Sequence, residues 1–260
     1  MLETEPLTII IKYMKIVFLG TGEAFDENNP NNSHLVISKE AKLLLDCGFT
    51  TPYQLWRYND NQNLLDAAYI SHLHGDHYFG LPALLVRMWE EGRTKPLTII
   101  CKKGFAKKIK EMMEYAYRAF SSNKFEYKIN FIEVNPEDHI KFKDLNLSFA
   151  LGEHSSEVLA VRIDNNNKSI CYSGDGMFTE QTERLYKGSD LVIQETYLYD
   201  KKTIGHASIV DAIKMAERND IKCLALTHIN RNLRPKIIKK KPSSKKVKII
   251  VPNPLDKYKA

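Results

Sequence analysis

Residues 72–77 read His-Leu-His-Gly-Asp-His, four potential metal ligands in six residues, directly after the apolar run Ala67–Ile70. Packing so many polar groups against the end of a core strand costs free energy unless something binds them. A pair of metal ions meets that requirement. In an extended segment alternate side chains share a face, so His72 and His74 point together. Gly75 lets the backbone turn, and Asp76 and His77 then project in a different direction. One short loop can thereby serve two ions roughly 3.5–4 Å apart, the spacing that clamps a phosphodiester. Imidazole suits zinc, and also manganese or iron.

A chain of 260 residues is long enough for one large domain with a proper core. Its 43% hydrophobic and 27% charged content is ordinary for a globular protein. No apolar run approaches the ~18–20 residues that span a bilayer. The stretch Leu7–Ile11 is too short for a secretory leader and follows Glu3 and Glu5, so a cytoplasmic location with no membrane partner is expected. Cys47, Cys101, Cys171 and Cys223 are widely spaced in apolar contexts, which predicts buried free thiols. Charge is uneven. Residues 229–260 carry eleven Lys/Arg and one acidic residue, leaving 27 of the 38 basic and 31 of the 32 acidic residues in 1–228. A basic segment of this kind suits a polyanionic partner, or simply a solvated tail.

The pattern predicts a mixed α/β domain over 14–230, preceded by an extension over 1–13 and followed by the basic segment 231–260. Strands are expected at Lys15–Gly20, His34–Ser38, Lys42–Asp46, Leu65–Ser71, Leu97–Cys101, Tyr127–Val134, Leu145–Leu151, Leu159–Ile163, Ser169–Ser173, Asp190–Gln194 and Cys223–Thr227, the last taken as the final strand. Helices are expected at Thr51–Asn59, Tyr78–Glu91, Ala106–Phe120 and Ser208–Glu217. His154, Asp175 and His228 each fall just beyond a strand's C-terminal end, where a sheet would present them to one edge.

His72-x-His74-x-Asp76-His77 with His154, Asp175 and His228 resembles the metallo-β-lactamase superfamily, and within it the ribonuclease Z group that trims tRNA 3′ ends. Leu44-Leu-Asp-Cys-Gly48, Tyr172-Ser-Gly-Asp175, Gln194-Glu-Thr196 and Gly205-His-Ala-Ser208 are similar to further motifs of that group. The resemblance implies an αββα sandwich of two packed mixed sheets with helices on the outer faces. It implies two Zn2+ per chain, with Mn2+ or Fe2+ as alternatives. His72, His74 and His154 would hold one ion, Asp76, His77 and His228 the other, and Asp175 would bridge them. Asp46 would support a ligand from behind. His206, backed by Glu195, would contact the scissile phosphate, and Asp76 would orient or deprotonate the attacking water, a hydroxide bridging the metals. A homodimer is a further expectation from the resemblance.

That chemistry leaves the substrate open between RNA and a small cyclic phosphodiester, arylsulfate or other ester. Only 21 positions separate His154 from Asp175, which leaves no room for the tRNA-gripping arm of bacterial-type ribonuclease Z. Substitutes for phosphate contacts are Lys102, Lys103, Lys107, Lys108 and Lys110, and in the C-terminal segment Arg231, Arg234, Lys236 and Lys239–Lys241.

Overall fold

The computed structural model describes residues 14–118, 125–166, 168–201 and 203–260; the extension expected over 1–13 lies outside them. Two seven-stranded sheets form, numbered here in chain order. The first runs β14 (Lys257–Lys259), β1 (Lys15–Gly20), β2 (Ser33–Ile37), β3 (Lys42–Leu45), β4 (Ala67–Ile70), β5 (Leu97–Lys102), β6 (Ile129–Val134). The second runs β13 (Lys248–Ile250), β12 (Cys223–Thr227), β11 (Leu191–Glu195), β10 (Lys168–Tyr172), β9 (Leu159–Asn165), β8 (Leu145–Leu151), β7 (His139–Phe142).

Alternation along the strands sorts side chains into layers. Leu43, Leu45, Tyr69 and Ile100 of the first sheet meet Phe149, Val161, Tyr172 and Ile193 of the second in the middle layer. Their neighbours Leu44, Ala68 and Ile99 point outward to α1 (Thr51–Tyr58), α3 (Leu81–Glu90) and α4 (Phe105–Ala116). Cys171, Val192 and Leu224 point outward to α5 (Glu180–Tyr186), α6 (Ile209–Arg218) and α7 (Arg234–Lys240). The result is the αββα sandwich. All four cysteines are buried and free, and among the described residues no helix is long and apolar enough to cross a membrane.

The expected helix Tyr78–Glu91 starts later, as α3 from Leu81 beyond Gly80 and with Pro82 in its first turn, and Tyr78 instead ends a separate short helix, α2 (Gly75–Tyr78). Two elements had no clear sequence signal. β7 is a four-residue edge strand with no fully buried side chain, and α5 is a short polar helix held by a Thr179–Thr182 capping box. The largest correction concerns 231–260. It is not a tail: β13 pairs with β12 and β14 with β1, so the segment completes both sheets and the boundary at 230/231 falls inside the fold. Apolar residues spaced between the lysines explain this, since Ile237 and Val247 are buried against α6 and its sheet.

Candidate metal centre

The site forms at one edge of the sandwich, beyond the C-terminal ends of β3, β4, β8, β10, β11 and β12. β3 and β4 are parallel, as are β10, β11 and β12, and β8 shares the direction of β10 across the antiparallel β9. Asp46, the 72–77 loop, His154, Asp175, Glu195 and His228 therefore arrive together. The sheets are tied there: Leu159 N donates to Ser71 O (3.1 Å) and His228 N to Thr21 O (3.0 Å). The loop sits so close to the first sheet that a Cβ on Gly48 would lie 1.9 Å from the Asp76 carbonyl, which accounts for the glycine in Leu-Leu-Asp-Cys-Gly. Asp46 and His228 both adopt left-handed backbone conformations, with φ of 57° and 53°. Strain at two non-glycine residues of one site is a cost the surrounding structure must offset.

Two clusters result, one of His72, His74 and His154, the other of Asp76, His77, Asp175 and His228. Hydrogen bonds from His72, His77 and His154 fix which nitrogen of those rings is free. His77 Nδ1 donates to Asp46 Oδ2 (2.7 Å), leaving Nε2 3.2 Å from both Asp76 Oδ2 and Asp175 Oδ2. His228 Nε2 lies 3.1 Å from Asp175 Oδ2 and 3.5 Å from Asp76 Oδ2. His154 Nδ1 donates to Gly205 O (2.7 Å), and its Nε2 faces His74 Nδ1 at 3.1 Å. His72 Nδ1 donates to Ser71 Oγ (3.0 Å), which itself donates to Asp46 Oδ2 (2.7 Å). With the rings neutral, lone pairs would face lone pairs, an arrangement that a bound cation relieves. His72 Nε2, His77 Nε2 and Asp175 Oδ1 are moreover buried without a hydrogen-bond partner. Neutral imidazoles and carboxylates around these orphan atoms fit divalent metal ions.

Electrostatics separate the clusters. Burial pushes the His72, His74 and His154 pKa values down, keeping the rings neutral. Burial also opposes charge on Asp76 and Asp175, yet the histidines around them hold both carboxyls far below the usual range. Those carboxylates in turn lift His77 well above its ordinary value and His228 to about 9, against burial. Asp46 accepts from Ser71 N, Ser71 Oγ, His77 Nδ1 and Tyr172 Oη, each at 2.7 Å. Its Tyr172 partner was missed in the sequence, although it opens the Tyr-Ser-Gly-Asp motif.

Glu195 is fully buried at the end of β11. Its Oε1 accepts from Ala207 N (2.7 Å) and Gly176 N (3.2 Å), and its Oε2 lies 3.2 Å from His206 Nδ1. Burial works against a charged His206, but the Glu195 carboxylate prevails and raises its pKa. The ring packs over His154 and His228, with centroids 4.9 and 5.8 Å away. Tyr197, unremarked in the sequence, stacks on the other side at 5.1 Å and accepts from Asn230 Nδ2 (3.0 Å). A cavity of about 200 Å³ opens over the clusters, lined by Glu23, Phe25, His74, Tyr197 and His206 among others. His34 and His139 stay outside: His34 is buried between Phe18 and Tyr172, and His139 meets Ser148.

The C-terminal candidates divide. Arg231 does not itself line the cavity but forms a 2.6 Å ion pair with Glu23, which does. Arg234 is a correction: it is buried, and its guanidinium donates to Pro252 O, so it ties α7 to the β13–β14 connection and cannot meet a substrate. Lys236 is exposed on α7 and does not line the cavity.

Fold and site together define a metallo-β-lactamase superfamily protein of the ribonuclease Z-like kind. More particularly, the chain belongs to the family described as anti-Pycsar protein Apyc1, which matches residues 14–248. Ribonuclease Z of Saccharolobus solfataricus is 27% identical over 84% of this chain and 89% of its own length. Among solved structures, the metallo-β-lactamase fold protein YhfI from Bacillus subtilis superposes with a TM-score of 0.81 at 20% identity, covering 95% of this chain and all of its own. Human short-form tRNase Z gives 0.78 at 22% identity, covering 94% and 98%.

Proposed function

We propose that this chain, a metallo-hydrolase of the ribonuclease Z type acting on phosphodiester bonds, uses two divalent ions to cleave a small nucleotide phosphodiester. The observation that carries the chemistry is the convergence of unpartnered ligand atoms from both sheets beneath one cavity. His72, His74 and His154 would hold one ion, Asp76, His77 and His228 the other, and Asp175 both. Bound there, zinc or a similar ion supplies water activation and Lewis acidity. The chain's own groups do the rest. Asp76, at the cavity's floor, accepts the proton of the attacking water. His206, whose pKa the Glu195 carboxylate raises against burial, donates to the phosphoryl or leaving oxygen as negative charge develops. Asp46 holds the His77 ring in register through Nδ1.

The small substrate is favoured by what the basic groups do. Lys102 pairs with Glu157 (3.0 Å), Lys107 lies 3.9 Å from Glu111, and Lys110 stands over Phe131. Lys240 stands over Tyr199 and Arg234 is buried. Part of the positive charge available to grip RNA is engaged within the fold. A second reading, trimming of RNA 3′ ends, is favoured by the relatives named ribonuclease Z. Metal analysis should find about two ions per chain. A side-by-side panel of 3′,5′-cyclic nucleotides and a tRNA precursor with a 3′ trailer decides the substrate: turnover of cyclic nucleotides with an untouched precursor supports the first reading, and the reverse establishes the second.

A further inference from the structure

The cavity mouth carries a group that the hydrolytic chemistry does not use. Phe25 lines the cavity yet is 75% exposed. A phenylalanine left in water forgoes the free energy of burying its ring, and this one is not on a loose loop. Asp26 accepts from Asn28 N (2.8 Å), Asn29 N (3.0 Å) and Asn29 Nδ2 (2.9 Å), closing the turn behind it. Gly22 N donates to Pro30 O (2.8 Å) at the base of the same loop. On the other side stands Glu23, 2% exposed, with one oxygen for each neighbour. Its Oε2 accepts from Phe25 N (2.8 Å) and its Oε1 from Arg231 Nε (2.6 Å). One buried carboxylate thus sets the guanidinium over one face of the exposed ring, with Arg231 Cζ 5.9 Å from the ring centroid. Arg231 uses Nε on Glu23, and among the described residues no hydrogen bond engages its terminal nitrogens.

We propose that Phe25 and Arg231, positioned by Glu23, form the nucleobase subsite of this enzyme; the inference rests on the nucleotide phosphodiesterase reading above. A cavity of about 200 Å³ is below the usual range for a drug-sized ligand. It takes the phosphate and sugar and leaves the base at the mouth. Phe25 stands there with an open face, and bases stack on aromatic rings whatever their identity. Arg231 supplies donors to the acceptor atoms of the stacked nucleotide.

Two chromogenic diesters with the same leaving group isolate this subsite in the metal-loaded, full-length protein: thymidine 5′-(p-nitrophenyl phosphate) and methyl p-nitrophenyl phosphate. Phe25→Ala should lower kcat/KM for the thymidine ester about tenfold, mainly through KM, and leave the methyl ester unchanged. Phe25→Trp should restore it. Glu23→Gln should raise KM for the thymidine ester while kcat on the methyl ester is kept, as a positioning role requires. Equal losses on both esters, or no loss on either, would overturn the subsite. A halved mass by light scattering together with equal losses would instead make Phe25 a contact between copies. A wild-type protein inert to both esters and to the cyclic nucleotides removes the nucleotide phosphodiesterase reading itself, an outcome distinct from failure of the subsite.

Discussion

Strands β1–β6 and β8–β13 follow one plan: three antiparallel strands, then three more added in parallel. Even the fixing points correspond. Asp66, just before β4, accepts from Lys42 N at the start of β3 (2.8 Å), and Asp190, just before β11, accepts from Ser169 N in β10 (2.9 Å). The halves differ in what they carry at the opposite edge. The first puts four ligands into the single loop after β4. The second spreads His154, Asp175, Glu195 and His228 over the ends of four strands and adds His206 from the segment before α6. The plan common to both halves builds the edge. Departures from it divide the labour, with the first half concentrating four candidate ligands in one loop and the second drawing its candidates from four strand ends and the segment before α6.

The harshest trial of that division is Asp175→Asn. With one carboxylate of the second half neutralised, activity should fall on the order of 10³-fold or more and metal per chain should drop. Full metal content in the variant would show that Asp175 is not needed to hold the ions. His206→Ala should lower kcat about 10²-fold with metal content unchanged; loss of metal would move His206 from the substrate side to the ligand side. Because Glu195 raises the His206 pKa, the protonated ring persists to higher pH than an ordinary histidine. Glu195→Gln should therefore shift the alkaline fall in rate to lower pH, and an unmoved profile would remove the proton-donor role. Asp46→Asn should weaken metal binding about 10–100-fold, seen as easier stripping by a chelator.

The smallest effects test the shared plan itself. Asp66→Asn and Asp190→Asn should each cost about 1–3 kcal/mol in urea unfolding at pH 7. Lysines lower both carboxyl pKa values despite the opposing effect of burial, Lys143 and Lys95 at Asp66 and Lys222 and Lys168 at Asp190. A depressed carboxyl pKa adds stability above the unfolded value, and that stability is lost as pH falls through the folded one. The variants should accordingly lose less stability than wild type on going below pH 4. Unequal costs would mean that the two halves are not fixed alike.

The hexapeptide was legible because its ligands are adjacent in the chain and a strand-end loop alone brings them together. His154, Asp175 and His228 were legible one by one as polar residues after apolar strands, and their assembly was implied by resemblance. Tyr172, Tyr197 and the Glu23–Phe25–Arg231 cluster were not, since each acts through a partner far away in sequence. The basic segment misled for a related reason: charge is read residue by residue, whereas β13 and β14 form only because their backbone groups find β12 and β1. The sequence by itself determined the candidate ligand types and the strand ends that bear them, and with them the metal chemistry proposed. Only the tertiary structure decided which lysines and arginines remain free, how large a cavity the two sheets leave, and that an exposed ring stands at its mouth. Those properties depend on distances between residues up to 208 positions apart, which no local pattern encodes.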